Sequence, residues 1–335
     1  MANPNTVLFT RPTSDYAVFD GMWWLKEPLA YCLERGLTVV DLLGDQANKI
    51  EFETAIDTHD PLYFVGCGHG NPDYFCGQNV QDLFWTCNCD RLIGRATWLQ
   101  SCWTAVTLGL DIISKGGLAY SGYAISYTWW VDNDVDIPTR NYDRAFCDTS
   151  SLPIFLYVDN ARWDRGFLTK YQLARWWVEF WEQQDDPVAA EVIKWIRHDE
   201  IDPPDAKMYG DAAHRRRPEI NHTPAVFMIR LPRVHINAPS KIAITVTCPE
   251  GCDLRGGHVQ LFDEYGNLVA HRTLTRFENG ICSTDLFEIT YSRPGRFLWT
   301  ARFLGSGIHP ARDSDPLHFV WLHPDYPEWD YKPIG

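Results

Sequence analysis

Short apolar runs alternate with longer stretches of helical period over roughly the first 130 positions of the chain. Strands are predicted at 5–10, 37–43, 61–67, 96–101 and 117–124, with helices near 15–35, 46–56 and 103–115 between them. Gly36, Gly116 and Gly117 stand where helix C-caps belong. Strand-helix alternation of this kind predicts an α/β core, a mostly parallel sheet flanked by helices.

The period changes twice further on. Between 140 and 200, "YQLARWWVEFWEQQ" and "DPVAAEVIKWIRHDE" carry apolar side chains at helical spacing, with Asp186 as N-cap and Pro187 in the first turn of the second stretch. The tryptophans recur at three- and four-residue spacing, which predicts core-facing helices rather than an aromatic binding surface. From about 235 the helical period gives way to short alternating runs, among them "KIAITVTC", "HVQLFDEYGNLVAHRTL" and "GRFLWTARFL", with turn signals at 265–267 and at Pro294-Gly295. These predict a small all-β sandwich of immunoglobulin type. The expected division is 1–232 for the α/β domain, including its Trp-rich helical region at 140–200, and 233–335 for the sandwich.

Composition narrows the function classes. A chain of 335 residues, 45% hydrophobic and 22% charged, can bury a substantial core. Thirty basic against 44 acidic residues leave a formal charge of −14, which argues against nucleic acid or an anionic membrane as a partner, since both demand a basic face. The amino terminus, "MANPNTVLFTRPTSDY", lacks a basic stretch followed by a long apolar core, and no later run approaches the length of a membrane span. A cytoplasmic setting is the expectation, an extracellular or virion-associated one the alternative. Ten irregularly spaced cysteines in a chain this long predict thiols that are mostly reduced and buried.

Two of the apolar runs end in reactive side chains. "LYFVGCGHGN" closes on His69, with glycines at 66, 68 and 70, and "ATWLQSCW" closes on Cys102. In an open parallel sheet, residues leaving adjacent strands at the carboxyl edge meet although distant in sequence. The helix expected from 103 would put the Cys102 thiol near a helix amino terminus, where the dipole favours thiolate. Paired in this way, a thiol and an imidazole predict nucleophilic chemistry.

A hydrophobic block ending in His-Gly, followed by a second ending in Ser-Cys, resembles the caspase-like clan of cysteine peptidases, and the gingipain branch in particular. "GGLAYSGYAISYTWW" after the cysteine, the "MYGDAA" segment at 208–213 and a terminal immunoglobulin-like domain add to the resemblance, although Ala212 stands where the clan's motif usually has proline. The resemblance implies a cysteine endopeptidase. Cys102 would attack the scissile carbonyl, His69 would protonate the leaving amine, and the backbone N–H groups of Gly70 and Cys102 would hold the oxyanion. It supplies no third member of the site: Asp60 precedes the histidine strand and lies at its wrong end.

By the same resemblance, Ser126, Tyr127, Thr128 and Trp129 would line the pocket for the residue before the cut and pair with a polypeptide substrate as an added strand. Asp132, Asp134 and Asp136 follow, and three carboxylates there predict a preference for arginine or lysine. The same loop reads alternatively as a solvated acidic turn or a calcium site, so calcium as a structural ion is the one cofactor considered. Cys67, Cys76, Cys87 and Cys89 lack the spacing of a zinc knuckle, and Cys248, Cys252 and Cys282 are an odd set from which one disulfide could form. The basic "HRRRP" at 214–218 predicts an exposed connector. Two further readings stand beside the peptidase: a catalytically silent caspase-like structural or binding protein, and a class I amidotransferase-like hydrolase whose later histidine would be His198.

Overall fold

The computed structural model describes residues 2–132, 140–201 and 206–322. The chain forms two compact units. One takes Phe146–Ile220 together with the chain up to Trp129, and the other takes Asn221 onward together with Trp130–Ala145. The division thus falls before the 232/233 boundary expected from sequence, because the strand at 225–229 pairs within the second unit.

In the first unit, β1 (Asn3–Arg11) leads to α1 (Tyr16–Trp24) and α2 (Lys26–Glu34), and β2 (Thr38–Leu43) to α3 (Lys49–His59). Next comes β3 (Pro61–Cys67), then a small hairpin of β4 (Tyr74–Cys76) and β5 (Asp82–Trp85). After β6 (Ala96–Gln100), α4 (Leu108–Ser114) and β7 (Ala119–Tyr123) come α5 (Arg144–Val158), α6 (Trp163–Trp181), α7 (Ala189–Ile196) and β8 (Ala206–Gly210). The main sheet runs β2-β1-β3-β6-β7-β8, parallel throughout except for β8 against β7.

Successive strand residues point to opposite faces, so each central strand feeds two separate cores. On one face Leu8, Phe64, Leu99 and Tyr120 pack with Phe52 of α3, Ile112 of α4 and the hairpin phenylalanines Phe75 and Phe84. On the other, Val7, Phe9, Tyr63, Val65 and Trp98 pack with Tyr31 and Cys32 of α2, Ile154 and Tyr157 of α5, and Trp163 of α6. Burial on both sides explains why β3 reads as an unbroken apolar run, all seven of its residues being buried. Trp176, Trp177 and Trp181 are likewise buried along α6.

The helix expected over 15–35 is two helices meeting at Leu25, which caps the end of α1 and the start of α2. Pro28 has no N–H to return to Trp24, and the break lies one turn before it. The basic run at 214–218 is only in part the exposed connector expected: Arg217 and Pro218 are exposed, while His214, Arg215 and Arg216 are half-buried. Arg216 is turned inward and donates to the carbonyls of Pro4, at 3.0 Å, and Val158, at 2.9 Å, clasping the start of β1 to the end of α5.

The second unit is built from β9 (Ala225–Ile229), β10 (Arg233–His235), β11 (Ser240–Thr247), β12 (His258–Phe262), β13 (Leu268–Thr273), β14 (Arg276–Glu278) and β15 (Ile281–Ser283). It continues with β16 (Phe287–Ile289), β17 (Gly295–Phe303), β18 (Arg312–Asp313) and β19 (Leu317–Leu322). One sheet runs β10-β19-β17-β12-β13 with β18 on β17, the other β14-β15-β11-β16 with β9 on β11; all pairs are antiparallel except β10 with β19. Ile242, Ile244 and Val246 of one sheet and Val259, Leu261, Trp299, Phe319 and Trp321 of the other share a single core. Asp263–Asn267 closes the β12–β13 hairpin with Gly266 at φ +79°, as the turn signal there predicts.

Candidate active site

β3 and β6 lie side by side in parallel register, Cys67 opposite Gln100, so the chain leaves both strands at one edge. His69 follows the end of β3 and Cys102 the end of β6. The two line one pocket of about 90 Å³, with Ala17, Val18 and Gly21 of α1, Gln100 of β6, and Tyr127 and Trp129 completing its wall. The Cys102 thiol is partly exposed, 3.8 Å from the Ser126 hydroxyl and 3.9 Å from the Tyr127 carbonyl.

The glycines around His69 are there for close approach rather than for a left-handed backbone. A Cβ on Gly68 would stand 2.2 Å from the Cys76 carbonyl oxygen, and one on Gly70 would stand 2.3 Å from Ser101 Oγ and 3.0 Å from the Cys102 carbonyl oxygen. The histidine loop is therefore seated directly on the cysteine turn. Its other side is fixed to the β4–β5 hairpin, where Cys76 N–H donates to the His69 carbonyl at 2.8 Å.

A third member of the group comes from the connection between β1 and α1. Asp15 Oδ2 lies 2.6 Å from His69 Nε2, across 54 positions of sequence. The same carboxylate caps α1, accepting from Val18 N–H at 3.1 Å. Burial alone would raise its pKa; the Val18 N–H and then the imidazole outweigh that and hold the carboxyl below its ordinary value. With Nε2 engaged, Nδ1 is the ring nitrogen left for proton transfer. Sequence reasoning looked for this acid beside the histidine strand, where Asp60 pairs instead with Arg95 at 2.7 Å. The available signal was the polar "RPTSDY" closing β1: because β1 pairs with β3, an acid leaving β1 emerges at the same edge as His69.

The helix expected directly after Cys102 is absent there; α4 begins only at Leu108. Trp103 is left-handed at φ +62°, and its N–H and that of Ala105 turn to the carbonyls of Ile125, at 2.8 Å, and Tyr123, at 2.9 Å. The positive φ at Trp103 keeps the chain out of helical geometry, and the two hydrogen bonds attach the cysteine turn to the chain leaving β7. Helix-dipole activation of Cys102 is therefore not available, and a bulky residue held at positive φ beside the thiol is local strain of the kind found at functional sites.

The segment expected to form the pocket wall is only partly as expected. Tyr127 and Trp129 line the pocket, while Thr128 turns its N–H inward to Asp199 Oδ2 at 2.9 Å, so that group is not free to pair with an added strand. Behind it lies a buried charged cluster. Lys170 of α6 meets Glu200 at 2.5 Å and the Tyr123 phenol at 2.9 Å, and the phenol donates to Glu200, also at 2.9 Å. Burial pushes Lys170 down and Glu200 up, each toward its neutral form. The cluster braces Tyr123 and Thr128, at either end of the segment that carries Ser126 and Tyr127.

Asp132 is held within the second unit, where it accepts from the N–H groups of Asn141 and Tyr142 at 3.0 and 2.8 Å and pairs with Arg233 at 3.1 Å. Burial raises its pKa against those partners. A carboxylate occupied in this way is not available to a substrate cation. Asp134 and Asp136 lie outside the described residues. The alternative histidine, His198, bonds Asp199 at 2.7 Å and does not line the Cys102 pocket. Among the described residues, no helix is long and apolar enough to cross a membrane.

No family model and no curated protein matches the chain. Among solved structures, the Arg-specific cysteine proteinase gingipain R is similar over 95% of this chain and 67% of its own, at 9% identity and a TM-score of 0.40. The complex of Porphyromonas gingivalis RgpB pro- and mature domains is similar over 93% of this chain and 68% of its own, again at 9% identity and 0.40. A CARDB domain from Pyrococcus furiosus overlaps 28% of this chain and 92% of its own, at 14% identity and 0.22.

Proposed function

We propose that the protein is a cysteine endopeptidase in which Cys102 is the nucleophile, His69 the general acid and base, and Asp15 the group that orients the imidazole. The observation that carries this reading is the single pocket that holds the Cys102 thiol and the Asp15-bound His69 at one sheet edge. The Cys102 thiolate attacks the scissile carbonyl carbon, and the oxyanion formed is held by the backbone N–H groups of Gly70 and Cys102. As the C–N bond breaks, His69 gives its proton to the leaving amine. Water, deprotonated by His69, then hydrolyses the thioester, releasing the acid and restoring the thiol. We read the second unit as an immunoglobulin-type sandwich appended to this catalytic unit.

The lining favours an uncharged side chain before the cut. Ala17, Val18 and Trp129 are apolar, and Gln100 is buried against the Tyr127 phenol, with which it interacts. A preference for arginine or lysine would need a carboxylate other than Asp132.

The test is a positional-scanning peptide library together with a peptidyl acyloxymethyl ketone probe, the labelled residue being mapped by mass spectrometry. Labelling at Cys102 and hydrolysis lost in Cys102→Ala, with a melting temperature within a few degrees of wild type, are expected. Turnover that survives Cys102→Ala, or a wild type that cleaves nothing in the library, overturns the reading. Cleavage confined to sites after arginine or lysine would overturn the uncharged preference alone.

A further inference from the structure

Three connections of the second unit converge on four side chains with soft or imidazole donors. His222 precedes β9 and Cys248 follows β11; those strands are antiparallel with Ala225 opposite Thr247, so both residues emerge at the same end. The turn after Cys248, with Gly251 at φ +69° and its N–H bonded to the Cys248 carbonyl at 2.8 Å, brings Cys252 back beside it. His309 arrives from the connection between β17 and β18, a tight turn in which Ser306 and His309 exchange two backbone hydrogen bonds of 3.0 Å, with Gly305 and Gly307 at positive φ.

The donor atoms face one another. The two sulfurs are 3.3 Å apart, and His222 Nδ1 lies 3.8 Å from Cys248 Sγ and 3.5 Å from Cys252 Sγ. One donor atom from each of the four residues falls within 4.8 Å of every other. Around a tetrahedral zinc, bond lengths near 2.3 Å for sulfur and 2.0–2.1 Å for nitrogen put S···S at about 3.8 Å and S···N at about 3.5 Å, within half an ångström of what is seen. His309 adds an independent sign. Its Nδ1 lies 3.0 Å from the Ser306 carbonyl oxygen, which requires that nitrogen to carry the proton, and its Nε2 is buried without a hydrogen-bond partner. An imidazole locked by a carbonyl with its other lone pair buried is the outer-shell arrangement of a metal ligand. The remaining thiol of the unit, Cys282, is accounted for otherwise, accepting from Leu254 N–H at 3.1 Å.

We propose that His222, Cys248, Cys252 and His309 form a closed Zn²⁺ site that ties these three connections together. Two thiolates and two imidazoles suit zinc over calcium or magnesium, and four protein ligands leave no position open for a substrate, which makes the site structural. Binding displaces the two thiol protons and, because the ligands come from separate connections, stabilises only the folded unit.

The full chain is produced without a histidine tag in zinc-supplemented medium and assayed for metal content, then exchanged with cobalt(II) to read the d–d bands of a tetrahedral site and the thiolate-to-metal charge-transfer band. About one zinc per chain is expected for wild type and for His258→Ala, a control outside the cluster, with melting that falls on chelation. Cys252→Ser and His309→Ala are expected to lose the metal and the cobalt spectrum. Should either fail to fold, Cys252→His keeps a ligand atom and is expected to retain zinc with a weaker thiolate band. Wild type that takes up neither metal overturns the site, as does undiminished zinc in both loss variants or a Cys248–Cys252 disulfide as the resting state.

Discussion

Asp15 has two jobs in this structure, and two substitutions separate them. Asparagine keeps a side-chain oxygen for the Val18 N–H and so keeps the cap on α1, but removes the charge from the imidazole; alanine removes both. Losing the cap costs about 1 kcal/mol, or roughly 2–4 °C in melting temperature for a unit of this size. A hydrogen bond between charged partners is worth about 1.5–3 kcal/mol. Here both side chains are 38–39% exposed, and solvent screening reduces that to about 1–2 kcal/mol. The expected loss in kcat/KM is therefore about 5- to 30-fold for either variant, with Asp15→Ala losing more stability than Asp15→Asn because it also loses the cap. The pH dependence has a definite sign. The folded-state pKa of Asp15 is lowered, so its contribution to stability is fully present above the unfolded value of about 4 and disappears as the pH falls through the lower folded value. Peptide-hydrolysis kinetics and thermal melts across that range, for wild type and both variants, supply the measurement. Unchanged kcat/KM in both variants would refute the positioning role, and equal destabilisation by both would refute the cap.

Gly70→Ala would place a methyl 2.3 Å from Ser101 Oγ and 2.6 Å from Thr104 Cγ2, prising the histidine loop off the cysteine turn. We expect about a hundredfold loss of kcat/KM from an ångström-scale misplacement and about 1–3 kcal/mol of overpacking; unaltered kinetics would show that the two loops are not coupled. Lys170→Met leaves Glu200 buried without its cation and should destabilise by about 3–5 kcal/mol in urea unfolding, whereas Lys170→Met with Glu200→Gln should recover most of it. A double variant as unstable as the single would place the cost elsewhere.

What could be read from sequence is what depends on neighbours in the chain. Period-two and period-3.6 apolar patterns place β3 at 61–67 as expected, β6 within a residue of it, and the Trp-rich helices as core, because burial of one face or two leaves its mark on each segment separately. Local reasoning also put His69 and Cys102 just past their strands. It failed where the decisive partners come from elsewhere. The stretch after Cys102 has helical spacing, yet Trp103 stands at φ +62° in a turn bonded to Ile125 and Tyr123, partners that exist only once β7 lies beside β6. Asp15 reaches His69 because the order β1-β3-β6 puts three strand ends at one edge, and strand order is a property of the folded sheet. Asp132, acidic and near the pocket in sequence, is claimed by Arg233. The zinc ligands show the same limit: Cys248 and Cys252 stand at a spacing that zinc sites use, but no spacing rule links that pair to His222 and His309, since three separate connections supply the four and only the folded β-sheets of the second unit bring those connections to one end.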